Sequence, residues 1–430
     1  MDTDLINEIS ERAILVGVNT GAETDFDARM EELEKLAEAC QIETVGVLTQ
    51  NLSEIHRSLY VGSGKVEEIK EAANALNIDI IIFYDTLSPA QLRNLQRDIG
   101  KPVMDRTALI LDIFERRAES SDAKLQVETA KLQYLLPRLV GMHDALTRQG
   151  GTSGSMSSRG AGEKKLELDR RKINQRLTFL RRELKEVALD RELKRKKRMT
   201  SQIPLVSLVG YTNAGKSTIL NAMIDTYMKD DEKKVLEKDM LFATLDTTLR
   251  RIETGNNHDF LLSDTVGFIH HLPHALIKAF HSTLEEVKNA DLLLHVVDFS
   301  DDQHQEHIKD TMTTLNELGA AHIPMITIYN KADKCMTDIP FQMDENRIYM
   351  SAKTRAGLSI LVDMISDKIF AEYIEVDLLI PYSDGSVASH FMENAEVLKR
   401  EYLENGINLL VRCHKADKEK YALYVKVLHE

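Results

Sequence analysis

The chain has 430 residues, of which 43% are hydrophobic and 29% are charged, a balance typical of globular proteins with about three domains. No apolar run reaches the roughly 20 residues that span a bilayer, and the acidic start lacks the order of a secretory signal, so we expect a cytoplasmic protein without membrane insertion. Three scattered cysteines lack metal-binding or redox spacing, which predicts reduced thiols. The net charge of −14 disfavours a nucleic-acid partner only where the charge is evenly spread.

The first part of the chain alternates strand and helix patterns, which predicts an N-terminal α/β domain over residues 1–120. Strands are predicted at residues 14–18, 44–48, 78–84 and 103–104, and helices at 26–40, 66–76, 88–97 and 106–117. The run at 78–84 is almost continuously apolar, as in a parallel strand buried on both faces. The segment GSGK at 62–65 lacks the full spacing of a phosphate loop. We interpret it as a helix-start turn, with nucleotide binding as the alternative.

Two long, charged helical patterns follow at residues 121–136 and 163–199, and they predict a helical hairpin domain over residues 121–200. The loop at 148–162 is rich in Gly and Ser. The second helix carries a basic surface, formed by Lys164, Lys165, Arg170, Arg171, Lys172, Arg176, Arg181, Arg182, Lys185 and the run 191–198. One interpretation is a solvated face paired with acidic residues of the same helix. We favour an RNA phosphate backbone as its partner, and not DNA, because no groove-reading module appears.

A phosphate-binding loop is the most specific signal in the chain. Residues 205–218, LVSLVGYTNAGKST, place an apolar strand before Gly210, Gly215, Lys216 and Ser217, which fit the pattern G-x-x-x-x-G-K-[ST]. A helical pattern follows the loop. Glycine lets the backbone approach a phosphate, lysine brings positive charge to the β- and γ-phosphates, and the serine hydroxyl is a ligand for Mg²⁺. The loop therefore predicts nucleotide binding.

Three further motifs at predicted strand ends indicate which nucleotide is bound. Asp264, in DTVG, can hold Mg²⁺ through water, and Gly267 can donate its N–H to the γ-phosphate. Asp333, in NKAD, can accept hydrogen bonds from guanine N1 and N2, a donor pair that adenine lacks. Ala352, in SAK, can donate its N–H to guanine O6. Each motif alone is weak, but their order and placement together predict a GTP site.

Several other stretches are similar to one protein family. Residues 83–96 (FYDTLSPAQLRNLQ), 105–118 (DRTALILDIFERRA), 125–139 (LQVETAKLQYLLPRL) and 159–171 (RGAGEKKLELDRR), together with FATLD and DTVGFI, resemble the HflX family of translational GTPases. The resemblance implies an N-terminal α/β domain with a helical hairpin, a Ras-like G domain over residues 201–371 and a small C-terminal domain. It also implies binding to the large (50S) ribosomal subunit, and splitting of stalled ribosomes under stress by some members.

The same resemblance assigns the switch I threonine, which completes the Mg²⁺ shell, to Thr244 in FATLD, with Thr247 and Thr248 as neighbouring alternatives. The chain also departs from the family pattern. Its Gly/Ser loop is longer than the common one, and Ala161 replaces a proline. These differences predict a more flexible loop in the free protein.

Switch II carries a second departure. Ras-type proteins orient the catalytic water with a glutamine after DxxG, and Phe268 occupies that position here. We expect slow hydrolysis until a partner orders the site. The alternative is that the side chain of His270 or His271 moves in to orient the water. His270 and His281 also stand where fixed positive charge is common in the family, which predicts a weaker switch II contact at neutral pH.

The last part, residues 376–430, predicts a small α+β domain with strands at 376–381, 407–413 and 421–428 and a helix at 390–403. Cys413 and His414 lack partners at metal spacing, so we expect an interaction role.

The sequence thus predicts an α/β protein: a monomeric, Mg²⁺-dependent GTPase with a low basal rate that docks on the large ribosomal subunit and its rRNA. The alternatives are a GTP-switched factor for ribosome assembly or RNA remodelling, and an N-terminal ATPase, for which no second complete phosphate loop exists. The predicted catalytic residues are Lys216, Thr244 and Gly267, and the predicted metal ligands are Ser217, Thr244 and Asp264. The predicted nucleotide-binding residues are Gly210, Tyr211, Thr212, Asn213, Ala214, Gly215, Lys216, Ser217, Thr218, Phe242, Ala243, Thr244, Leu245, Asp246, Asp264, Thr265, Val266, Gly267, Asn330, Lys331, Ala332, Asp333, Ser351, Ala352 and Lys353.

Overall fold

The structure, a computed structural model, describes residues 11–21, 25–139, 156–200, 203–228, 242, 248–254, 259–265, 267–268, 286–371 and 373–426, without the side chains of 156–166, 194–200 and 393–394. The chain divides into two units. The first comprises residues 1–190, 239–245 and 272–281, and the second comprises residues 191–238, 246–271 and 282–430.

The first unit begins with a parallel sheet of β1 (Glu11–Asn19), β2 (Ile42–Asn51), β3 (Ile80–Phe83) and β4 (Val103–Asp105). The strand order is β2-β1-β3-β4. The helices of this region are α1 (Phe26–Ala39), α2 (Ser63–Ala75), α3 (Pro89–Ile99) and α4 (Arg106–Arg117). All of β3 is buried, as a parallel strand covered on both faces requires. The predicted order of strands and helices is confirmed.

Two helix starts in this region follow the local sequence. Ser88 accepts a hydrogen bond from the Gln91 N–H, and the Gln91 side chain accepts one from the Ser88 N–H, so α3 begins with a capping box followed by Pro89. The GSGK segment begins α2, where the Gly62 N–H donates to Gln50 Oε1 at 2.9 Å. The interpretation of GSGK as a helix-start turn is therefore confirmed by its geometry.

Two further helices, α5 (Ser121–Leu135) and α6 (Met156–Thr200), follow the sheet. Arg176 of α6 donates two hydrogen bonds to the Glu128 carboxylate of α5, at 2.6 and 2.7 Å, so the two helices contact each other as a hairpin requires. Leu177 and Leu180 are buried. Helix α6 begins at Met156, before the predicted start at residue 163, and residues 140–155 of the connecting loop lie outside the described residues.

The second unit contains a seven-stranded sheet in the order β10-β11-β9-β8-β5-β7-β6. Its strands are β5 (Leu205–Gly210), β6 (Leu249–Ile252), β7 (Phe260–Ser263), β8 (Leu292–Asp298), β9 (Met325–Asn330), β10 (Gln342–Asp344) and β11 (Arg347–Tyr349). The five central strands pair in parallel and the two edge strands pair antiparallel. Helices α7 (Lys216–Tyr227) and α9 (Leu358–Ile369) share one core with this sheet, and α8 (His304–Leu318) contacts β5 and β8. This architecture brings the carboxyl ends of β5, β7, β8 and β9 to one edge, where α/β proteins bind ligands.

The C-terminal part of the second unit is an antiparallel sheet of β12 (Tyr373–Ile380), β14 (Gly406–His414) and β13 (Glu396–Leu403) with α10 (Gly385–Asn394) and α11 (Lys415–Lys420). The prediction of a helix over 390–403 is wrong in its second half, because those residues pair along β14. The predicted strand at 421–428 is also wrong over its described residues, 421–426. Residues Ala422–Tyr424 form a 3₁₀ turn, and Val425 makes a single bridge to Leu378.

Two simpler expectations concern the membrane and the thiols. Within the described ranges, no helix is both long and apolar enough to cross a bilayer. Cys40 and Cys413 are buried, Cys335 is exposed, and the three thiols are free. Burial raises the pKa of the Cys40 and Cys413 thiols to about 11, so both are protonated at neutral pH.

Candidate nucleotide site

The predicted phosphate loop connects β5 to α7 and is bonded to the segment DTVGF. The Thr212 N–H donates to the Phe268 carbonyl at 2.8 Å, and the Phe268 N–H donates to the Gly210 carbonyl at 3.1 Å. Strand β5 lies between β7 and β8 in the parallel sheet. The two motifs expected to contact phosphate, separated by about fifty residues in the chain, therefore meet at one sheet edge.

Gly215 and Gly267 show why this site needs glycine. Gly215 has a φ of 98°, and a Cβ there would overlap the side-chain amide of Asn330. A Cβ on Gly267 would lie 2.7 Å from Thr212 Cγ2 and 3.0 Å from Lys216 Nζ. The backbone thus approaches its neighbours closely where a phosphate would have to bind.

Lys216 is buried at the start of α7, and its ammonium group is held by the loop itself. Nζ donates to the carbonyl of Gly210 at 3.1 Å and to the carbonyl of Tyr211 at 2.8 Å. Burial lowers the pKa of Lys216 to about 8, although the charge of Asp264 acts in the opposite direction. A phosphate beside Nζ would stabilise the charged form.

The residues predicted to hold Mg²⁺ fit that ion. The Ser217 hydroxyl donates to Asp264 Oδ2 at 2.7 Å, and the Asp264 side chain is buried at the end of β7. A hydroxyl and a carboxylate are the oxygen ligands that Mg²⁺ takes beside nucleotide phosphates. The third predicted ligand, Thr244, lies outside the described residues, as do Ala243, Leu245, Asp246, Val266, Thr247, His270, His271 and His281.

Asn330 joins the loops of the site through its side-chain amide. Its Nδ2 donates to the Ala214 carbonyl of the phosphate loop, and its Oδ1 accepts from the Ala352 N–H of the SAK motif, both at 2.9 Å. The Ala352 N–H, expected to reach guanine O6, is therefore bonded to Asn330 in this structure. Asp333 is exposed in the 3₁₀ turn Ala332–Lys334, as recognition of a base requires.

Lys331 connects the NKAD motif to the phosphate loop. Its Nζ donates to the Asn213 carbonyl at 2.8 Å and to Asp298 Oδ2 at 2.7 Å. Burial alone would raise the pKa of Asp298, but hydrogen bonds from Lys331 and Ser300 hold it below its usual range. Sequence reasoning missed Asp298, although its place at the end of β8, on the same sheet edge, is a usable signal.

Other members of the predicted site serve packing in this structure. Tyr211 stacks on His307 of α8 with ring centroids 3.8 Å apart, and the Thr265 hydroxyl donates to the Leu208 carbonyl. Phe268 is 2% exposed, so its ring is buried and has no polar atom to offer a water molecule. Phe242 is also buried, and it packs within the first unit.

A buried histidine on β8 was not singled out by the sequence. Burial and the charge of Lys216 lower the pKa of His295 to about 4, so the ring is neutral at physiological pH. It therefore adds no positive charge beneath the phosphate loop.

The lowered pKa of Lys216 predicts a pH dependence of nucleotide affinity. Phosphate favours the ammonium, so the pKa of Lys216 must rise on binding from its value of about 8 in the free protein. Affinity is then constant below that pH and falls above it, by up to about tenfold per pH unit. Titration with GDP without metal, from about pH 7 to about pH 9, measures this effect. A flat profile across that range would contradict it.

Three family descriptions match the chain in succession. "GTP-binding GTPase N-terminal" matches residues 27–115, "GTP-binding GTPase Middle Region" matches 117–198, and "50S ribosome-binding GTPase" matches 205–331. Together they account for most of the chain as far as the NKAD motif.

Curated relatives bear the name GTPase HflX. The relative from Caldanaerobacter subterraneus is 41% identical over 417 residues, which cover 96% of this chain and 94% of the relative. That from Escherichia coli is 39% identical over 418 residues, or 95% of each chain. Among solved structures, a GTP-binding protein from Sulfolobus solfataricus in complex with GDP is 24% identical and covers 83% of this chain and 97% of its own, with a TM-score of 0.43.

Proposed function

The chain belongs to the HflX family of GTPases, and we propose that in its GTP-bound form it docks on the large ribosomal subunit and splits or rescues stalled ribosomes. The resemblance found in the sequence is thereby confirmed, and the protein is a GTPase. The proposed docking rests on one observation above all, the basic surface of α6. We further propose that it acts as a monomer in the cytoplasm, where ribosomes are found.

The phosphate chemistry follows from the geometry around Lys216. Its ammonium group would move from the loop carbonyls to the β- and γ-phosphates, and the Gly267 N–H would donate to the γ-phosphate. Ser217, Asp264 and Thr244 would hold Mg²⁺, which supplies charge neutralisation between the two phosphates. Orientation by these groups lowers the barrier, because phosphoryl transfer depends on positioning and charge stabilisation.

Guanine selection rests on the loops that Asn330 joins. Asp333 would accept from N1–H and N2–H of the base. Because the Ala352 N–H is bonded to Asn330, we propose that guanine O6 either displaces that bond or takes the N–H of Lys353, the next residue along the same turn.

The basic surface of α6 supports an RNA partner. Arg170, Arg171 and Lys172 are exposed, and within the described part of the chain they form no ion pair. Arg176 and Arg182, by contrast, pair with Glu128 and Glu186. Exposed cations clustered on one turn bind a phosphate backbone with release of counterions, whereas cations held in ion pairs gain less from it. The alternative interpretation of α6, a solvated face, is separated from this proposal by experiment.

Charge reversal tests this surface. Arg170→Glu, Arg171→Glu and Lys172→Glu together should weaken binding to large subunits by at least about tenfold and flatten its salt dependence. GTP affinity should stay within about twofold of the parent, because no predicted nucleotide contact changes. Sedimentation with purified subunits across a salt series measures the binding to large subunits and its salt dependence.

A matched control reverses three scattered basic residues of the same unit, Lys35, Arg57 and Lys124, all of which are exposed. The control changes the net charge equally and should bind subunits nearly as the parent does. Equal loss in both variants would mean that only total charge matters, and an unchanged salt slope in the first would leave α6 a solvated face.

Sedimentation distinguishes the proposed function from the alternative, a role in ribosome assembly. Lysate is fractionated with a non-hydrolysable GTP analogue. Co-migration with mature large subunits and loss of joined ribosomes supports the proposal. Co-migration with immature particles only would favour an assembly or RNA-remodelling factor in which GTP is a loading switch.

A further inference from the structure

Phe179 is an aromatic residue on the exposed side of α6. It is 48% exposed, whereas its near neighbours Leu177 and Leu180 are 3% and 0% exposed. Helix α5, and α6 as far as Asp190, belong to the first unit. A single exposed apolar side chain is ordinary on a protein surface, so its meaning depends on what surrounds it.

Basic side chains surround this ring. Residues 170–185 contain seven Lys or Arg residues and one Glu, so this part of the helix is strongly positive. Lys172 and Arg182 are exposed and stand seven positions before and three positions after Phe179, on the same face of the helix. Arg182 donates to Glu186 at 3.3 Å, but both side chains are mostly exposed, so a phosphate can replace that carboxylate at little cost. The charge around the ring fits an anionic partner.

Arg176 holds the ring from one side. Its guanidinium carbon lies 5.2 Å from the centroid of the Phe179 ring, within the range of a cation–π contact. The same guanidinium donates two hydrogen bonds to Glu128 of α5, at 2.6 and 2.7 Å. Because the guanidinium is fixed to a second helix, the ring rests against a fixed group before a partner arrives. A preorganised side chain loses less conformational entropy on binding.

The spacing of exposed apolar residues on α6 argues against a partner helix. Leu168, Phe179 and Leu189 are 55%, 48% and 54% exposed, and they stand about three helical turns apart. A seam between two helices needs an apolar residue every three or four positions. Between these three residues the same face carries polar side chains, among them Gln175 and Arg182. The exposed feature is therefore one aromatic ring among cations.

We propose that Phe179 stacks on an unpaired base of the RNA that α6 binds, while the basic residues around it contact the adjoining phosphates. This inference rests on the proposed RNA partner of α6 and names the part of that RNA that is bound, a single-stranded loop or bulge. Bases inside a duplex are already stacked on their neighbours, so only an unpaired base is free to take the ring. Every base has a π-face, so the contact selects unpaired RNA and not a sequence.

The chain contains no tryptophan, so Phe179→Trp places a sole indole at the proposed contact. A short oligouridylate, whose bases are unstacked, should quench its fluorescence. Duplex RNA of the same length should bind through its phosphates without quenching. Leu76→Trp is the matched control, since Leu76 is 42% exposed at the end of α2, and neither RNA should quench it. Equal quenching by both RNAs, or none by oligouridylate at a concentration that saturates binding, would overturn the proposal.

Affinity measurements separate stacking from simple apolar contact. Phe179→Ala and Phe179→Leu should each weaken binding of oligouridylate and of large subunits by at least about fivefold, with the salt slope unchanged, because stacking releases no counterions. Phe179→Tyr keeps an aromatic ring and should stay within about twofold of the parent. Leu189→Ala removes an exposed apolar residue of the same helix and should bind as the parent does. Full affinity in Phe179→Leu, or equal loss in Leu189→Ala, would mean that no base stacks on the ring.

The charge reversal of Arg170, Arg171 and Lys172 distinguishes this inference from the proposed function on which it rests. If that variant binds subunits as the parent does, the RNA surface and the stacking contact both fail. If the reversal abolishes binding while Phe179→Ala retains full affinity, the basic surface stands and the stacking contact is refuted.

Discussion

Asp333→Asn should reduce the affinity for GTP by at least about a hundredfold and raise the affinity for xanthosine triphosphate. The carboxylate accepts from guanine N1–H and N2–H, whereas asparagine turns an N–H group toward one of those donors and leaves it unsatisfied. Xanthine carries a carbonyl in place of the N2 amine and can accept from that amide. Asp333 is exposed on a turn, so the substitution should leave the fold unchanged.

Titration with both nucleotides measures the switch, and the same substitution at Asp338 is the control. Asp338 lies five residues further along the chain and is exposed. Its substitution by Asn removes the same charge and leaves the NKAD motif unchanged. Asp338→Asn should retain the nucleotide affinities of the parent. Unchanged GTP affinity in Asp333→Asn would mean that the guanine assignment is wrong.

The phosphate loop could be predicted from sequence because local chemistry determines it. Phosphate binding needs three features within a few residues of one another. They are a glycine at position 215 with a φ of 98°, a lysine that begins a helix and a hydroxyl beside it. The strand before the loop is apolar because it is a central strand of the sheet and is buried on both faces. Asp264 and Asp333 were placed at strand ends for the same reason, since parallel strands end at a common edge.

Contacts between distant loops could not be predicted in this way. Asp298 binds Lys331, and Asn330 takes the Ala352 N–H, only because β8, β9 and the SAK turn are neighbours in the folded sheet. Strand order decides such pairs, and a single sequence specifies strand order weakly. The burial of Phe242 against Phe114 is a similar case, because 128 residues separate the two rings.

The C-terminal sheet shows how tertiary pairing overrides local propensity. The segment EVLKREYL is rich in Glu, Lys, Arg and Leu, which favour helix, and it was predicted as the end of one. It forms β13 because β14, with its Val, Ile and Leu residues, pairs along its whole length. Most of β13 is exposed, so its sequence has almost no alternation of apolar and polar residues that would indicate a strand.

Phe268 predicts a GTPase that is slow alone and fast on its partner. Its ring is 2% exposed and has no polar atom, so it cannot orient the attacking water as glutamine does. Large ribosomal subunits should raise kcat by at least about a hundredfold, through ordering of the nucleophile and added transition-state charge stabilisation. Lys216→Ala should abolish both the basal and the stimulated rate, because it removes the cation that the phosphates require.

Single-turnover hydrolysis, with and without purified subunits, distinguishes this mechanism from a self-sufficient site. His270→Ala and His271→Ala should leave the basal rate within about twofold of the parent, since the mechanism assigns the ordering group to the partner and not to either histidine. If a histidine oriented the water, its removal would lower the basal rate by about two orders of magnitude, the usual contribution of one positioned polar group. A fast basal rate that collapses in either histidine variant would therefore exclude timing of hydrolysis by the ribosome, because a site complete in itself leaves the partner nothing to supply.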